Sequence, residues 1–107
     1  MSVDGEILDA AYAVYEEFGP NRRVPRRERL HRMYPRLTAI EMDTLMIEMA
    51  AVSKTVWSIA ELGGEIKIGK DKIIELLQAR HEYLRGPGLT RATFMANYLA
   101  LHEGYDR

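Results

Sequence analysis

Cysteine is absent from the 107 residues. That absence removes disulfides, thiolate metal sites and cysteine nucleophiles together, and it suits a reducing compartment. No stretch approaches the roughly 20 uninterrupted apolar residues that span a bilayer. The opening MSVDGEILDA has neither the basic start nor the apolar core of a signal peptide. A cytoplasmic protein with no membrane partner is therefore expected. Serine occurs only at Ser2, Ser53 and Ser58, none with a histidine nearby in sequence, so no nucleophile announces itself, although a triad needs only spatial proximity. Net charge is nearly absent too, at −1 from 15 basic and 16 acidic residues.

What is present suffices for a fold. With 47% hydrophobic and 29% charged residues the chain can bury a core, and its length fits one domain over residues 1–107. Apolar side chains at Ile7, Leu8, Ala11, Val14, Tyr15 and Phe18 have helical spacing, stopped by Gly19 and Pro20. Asp4, Glu6 and Asp9 fall in the first turns, where the helix dipole favours acids. A short second helix is expected between Pro25 and Pro35, burying Leu30, Met33 and Tyr34.

Thr38 and Glu41 stand three apart, as in a capping box. The stripe Met42, Leu45, Met46, Met49, Val52, Val56, Trp57 and Ala60 then predicts a long central third helix over 39–62, with Ile40 and Ile47 well off that stripe. Gly63 and Gly64, lying between VWSIAEL and EIKIG, are also a hairpin signal. The favoured reading is a continuous helix, because Lys54, Ser58 and Glu61 keep helical spacing. The alternative is a winged-helix-like α+β fold with a small hairpin at 55–68. Beyond Gly69, KDKIIELLQARHEYLRG predicts a helix burying Ile73, Ile74, Leu76, Leu77 and Leu84. Gly86, Pro87 and Gly88 break it, and Thr90 is the expected cap of a last helix with Phe94, Met95, Tyr98 and Leu99. The fold class is thus an all-α, compact bundle of about five helices, the last two forming an antiparallel pair.

Two motifs invite chemistry and neither carries it. The run from Gly64 to Asp71 resembles a phosphate-binding loop, but Asp71 replaces the hydroxyl that would hold magnesium, and no strand–helix alternation surrounds it. His81-Glu82 and His102-Glu103 suggest metal ligands. On an antiparallel helix pair, however, the two histidines lie about 12 Å apart along the axis. Glu16 and Glu17 read as a solvated helix edge before an acid/base pair. No catalytic residue, metal or cofactor is assigned.

The densest feature is NRRVPRRERLHRMYPR, which packs Arg22, Arg23, Arg26, Arg27, Arg29, Arg32 and Arg36 around a single acid, Glu28. Arginine forks suit phosphate oxygens, and the order of elements resembles a helix-turn-helix. A groove-reading third helix would then present Glu41, Thr44, Glu48, Ala51 and Thr55, with Asp43 on its flank, and carboxylates oppose a polyanion. An acidic protein surface, the chain's own or a partner's, is the favoured counterpart. The expected role is a non-enzymatic protein–protein interaction module, able to form a homodimer through Ile40, Ile47 and Trp57 on the third helix. Nucleic-acid binding by the arginines is the alternative.

Overall fold

The computed structural model describes residues 3–16, 23–65 and 68–102, without the side chains of residues 64, 65, 101 and 102. These residues form five helices: α1 (Gly5–Tyr15), α2 (Arg26–Met33), α3 (Ala39–Glu65), α4 (Lys70–Arg80) and α5 (Pro87–His102). No strand occurs among them, so the fold is an all-α bundle. None of the described helices is long and apolar enough to cross a membrane.

Local chemistry starts the helices where the sequence indicates. Asp4 caps α1 by accepting the Glu6 N–H at 3.0 Å. Thr38 and Glu41 form the reciprocal box: the Thr38 hydroxyl accepts the Glu41 N–H at 3.1 Å, and the Glu41 carboxylate accepts the Thr38 N–H at 3.0 Å. From there α3 runs for 27 residues. At 1.5 Å per residue that is about 40 Å, close to the longest dimension of the molecule, 42 Å. Its inner side places Met42, Leu45, Met49, Val52, Val56 and Ile59 in the core. Leu8, Ala11 and Tyr12 of α1, Ile73 and Leu77 of α4, and Ala92, Ala96 and Leu99 of α5 close over them. The helix expected over 39–62 is three residues longer.

The hairpin alternative at 55–68 is overturned, since α3 continues through both glycines to Glu65; residues 66 and 67 lie outside the described ones. The physical reason is packing. A methyl on Gly63 would sit 3.3 Å from the Ala100 Cβ of α5, so the missing side chain admits a neighbouring helix rather than a turn.

Three further expectations are corrected. The helix after Gly69 ends at Arg80 instead of running on through Leu84, because the His81 ring turns into the core while its N–H closes the last turn on the Leu77 carbonyl at 2.8 Å. Met33, expected in the core, is 46% exposed, and Phe94 and Tyr98 also face outward; the small side chains Ala92 and Ala96 take the inner side of α5. Finally, α5 starts at Pro87, not at Thr90.

Asp9 explains that last start. Instead of serving its own helix dipole, its buried carboxylate reaches across to α5 and accepts the backbone N–H groups of Arg85, Gly86 and Leu89 at 2.9, 3.1 and 3.3 Å. These donors have no partner within the helix, so a carboxylate from another element caps it. The approach is tight enough that a Cβ on Gly88 would overlap the Asp9 carbonyl oxygen. Asp9→Ala is expected to cost about 2–3 kcal/mol, by leaving three amides without an acceptor. Gly88→Ala should be destabilised comparably by steric overlap, and urea denaturation of the two variants checks both.

Candidate functional site

The arginine segment divides into two populations. Arg26 and Arg29 point back at the end of α1, where the last carbonyls of a helix have no internal partner and carry the negative end of its dipole. The Arg26 Nε–H donates to the Tyr15 carbonyl at 3.0 Å and the Arg29 Nη1–H to the Val14 carbonyl at 3.1 Å. Arg26 also lies over the Tyr15 ring, 4.6 Å from its centroid, and 3.6 Å from the Glu16 carboxylate. Arg29 is 7% exposed, so this is a desolvated cation and not a surface one. Burial pushes the Glu16 carboxyl above its ordinary range, against the opposing pull of Arg26, Arg29 and Arg91.

The other described arginines make no contact with the end of α1, and Arg26 itself, at 50% side-chain exposure, is as open to solvent as Arg27 at 48%. Arg27 pairs with Asp43 of α3 at 2.7 Å and Arg32 with Glu28 one turn earlier at 3.1 Å, all four side chains being largely exposed. Such pairs contribute only about 0–1 kcal/mol each. Arg23 and Arg36 are exposed and have no partner among the described residues; Arg22 lies outside them. The run is therefore not one contiguous free cationic strip.

The outward side of α3 also differs from the one expected. Thr55 is buried, Glu41, Thr44 and Glu48 are half-buried, and of that set only Ala51 is exposed. The helix instead faces solvent with Ile40, Asp43, Ile47, Ala50, Lys54, Trp57 and Glu61. Ile40 is 65% exposed and Ile47 70%, while Trp57, which the spacing also placed on the buried stripe, is 44% exposed. The structure thus brings Ile40, Ile47 and Trp57 onto one side, opposite the core.

The face holding Thr55 and Glu48 is covered by the turn between α4 and α5. The His81 Nε2 lies 2.8 Å from the Thr55 hydroxyl, His81 Nδ1 lies 3.5 Å from the Tyr83 hydroxyl, and Tyr83 donates to Glu48 at 3.1 Å. A hydroxyl beside an imidazole suggests a nucleophile and its base. Here Thr55 donates its one hydroxyl hydrogen to the Ala51 carbonyl, which makes His81 Nε2 the donor and the Thr55 oxygen an acceptor. Both side chains are buried, so the pair ties the turn to α3. The His102 side chain and Glu103 lie outside the described residues. Among the described residues no group of three or more His, Asp or Glu could hold a metal ion.

No family model matches the chain, and neither a curated protein nor a solved structure matches it.

Two measurements follow from these contacts. Arg29→Ala is expected to destabilise the fold by about 2 kcal/mol, because it leaves the Val14 carbonyl and the Glu16 charge less compensated. Arg23→Ala and Arg36→Ala should stay within about 0.5 kcal/mol, and urea midpoints separate the two classes. Burial holds the His81 imidazole below its usual pKa, with Arg80 acting in the same direction and Glu48 in the other. The unfolded chain therefore takes up this proton first. The His81 contribution is complete above about pH 6.5 and is lost as pH falls through the depressed folded-state value. Glu16 works oppositely, favouring the folded state on acidification through the region above its ordinary value of 4.5. The His81 effect is read as the difference in slope of stability against pH between the wild type and His81→Gln, which should be flatter near pH 6.

Proposed function

We propose that this protein is a non-enzymatic module that binds other protein surfaces and self-associates through the outer side of α3. The observation that carries the reading is the exposure of Ile40 and Ile47, at 65% and 70%, on a helix whose opposite side is fully buried. Withdrawing an exposed isoleucine from water is worth about 1.5–3 kcal/mol. Two of them with half-exposed Trp57 give the surface a drive toward a partner that a solvated helix face lacks.

The second reading, nucleic-acid binding, rests on Arg23 and Arg36, exposed and without a partner among the described residues, together with the exposed pairs at Arg27 and Arg32. The outer side of α3 is nearly neutral, with Asp43 and Glu61 against Lys54, and offers a phosphate backbone no added attraction.

Light scattering should show a mass that rises with concentration above the 12.3 kDa of the chain. Ile47→Asp should hold the protein monomeric with its helicity unchanged. The emission of Trp57, the sole tryptophan, should shift to the blue as association proceeds. Duplex and single-stranded DNA and RNA should fail to bind at about 50 mM salt, whereas salt-sensitive binding lost on removing Arg23 and Arg36 would favour the second reading.

A further inference from the structure

Building on the self-association reading, we infer that the occupant of the outer side of α3 is a second copy of this chain, lying antiparallel and related by a two-fold axis between Glu48 and Met49. Ile40, Asp43, Ile47, Ala50, Lys54 and Trp57 follow one another at alternating steps of three and four and are all exposed. That is the stepping of a two-helix coiled-coil seam, here with the charges Asp43 and Lys54 among its apolar positions. The core seam Met42, Leu45, Met49, Val52, Val56 and Ile59 repeats the same stepping two residues later, a rotation of about 200°. One helix thus carries two parallel seams on opposite sides, and the described residues cover only the inner one.

Charge selects the register. About the proposed axis Ile40 meets the partner's Trp57, Asp43 meets the partner's Lys54, and Ile47 meets the partner's Ala50, each contact occurring twice. The partner's exposed Glu61 then falls beyond the start of α3, toward the turn that holds Arg36, which is exposed and without a partner among the described residues. Asp43 and Lys54, the two charges between Ile40 and Trp57, each face their opposite. A parallel pair would stack Asp43, Lys54 and Glu61 on themselves. An antiparallel pair slipped by one heptad would set Asp43 against Glu61 in one direction and against Ile47 in the other. Ala50 at the centre is small enough to let the backbones approach where Ile47 packs. The Arg27 that already holds one Asp43 carboxylate oxygen leaves the other for the partner's lysine.

The absence of cysteine permits a direct test. Asp43→Cys and Lys54→Cys are made as separate chains and oxidised alone and as an equimolar mixture. In the proposed register positions 43 of the two copies lie about 16 Å apart, beyond the reach of a disulfide, while positions 43 and 54 are adjacent. The mixture should give a cross-linked species holding one of each chain, and each chain alone should give little. As a second arm, Asp43→Lys and Lys54→Asp should each weaken self-association at least tenfold, and mixing the two should restore it as a heterodimer. Self-cross-linking by each chain alone would overturn the antiparallel register while leaving association through α3 standing. A mass that rises with concentration while neither arm responds would place the contact on another face and overturn the inference. A wild-type mass independent of concentration would overturn the self-association reading as well.

Discussion

A helix of 27 residues has two long sides, and the other described residues cover one of them. The other helices have 8 to 16 residues, and all four pack against α3, which spans nearly the whole length of the molecule. Everything else follows from how that inner side is closed. α5 lies along α3 most extensively, α1 is pinned to the start of α5, and α4 packs on α3 directly and is tied to it again by the turn that follows. With no further element available among the described residues, the outer side keeps its isoleucines in solvent.

The closure relies on polar ties between elements distant in sequence, each of which satisfies something a helix end or turn would otherwise leave open. Asp9 takes three amides at the start of α5, Arg26 and Arg29 take the carbonyls at the end of α1, and His81 with Tyr83 joins the last turn to α3. The charge-assisted bonds of buried Asp9 and Arg29 are worth about 1.5–3 kcal/mol, against about 0–1 for the exposed pairs at Arg27 and Arg32. The energetic meaning of an arginine in this chain therefore depends on whether it faces a carbonyl or the solvent.

This difference separates what the sequence shows from what it hides. The capping box at Thr38 and Glu41, the inner stripe of α3 and the exposure of Ile40 and Ile47 are local or periodic, and each is legible in the residue order. The true start of α5 is not, because its cap is Asp9, supplied from α1 near the other end of the chain, and Thr90 offers a local signal that tertiary structure overrides. The two glycines in α3 mislead for a related reason: a turn signal and a packing glycine are identical in sequence, and only Ala100 tells them apart. Expecting an acidic counterpart for the arginines fits the pairs with Glu16 and Asp43 but misses the Val14 and Tyr15 carbonyls, since backbone acceptors are present at every residue and mark none. His81 was legible as a residue of interest, while its hydroxyl partner was not, because Thr55 lies on a different helix.

Near-neutral charge gives the arginine segment its setting. A strongly basic protein approaches a polyanion readily and repels its own copies, whereas a chain of net charge −1 has little long-range field in either direction. At such a surface the pattern within a Debye length, about 8 Å at physiological salt, decides what can dock. Along α3 that pattern is Asp43, Lys54 and Glu61 spaced among isoleucine, alanine and tryptophan, with Arg36 just beyond the helix start. Reversal of direction turns this order into its own complement, a property that a surface shaped for phosphate backbone has no reason to possess. Arg26 and Arg29 hold the end of α1, while Arg36 stands exposed just before the start of α3.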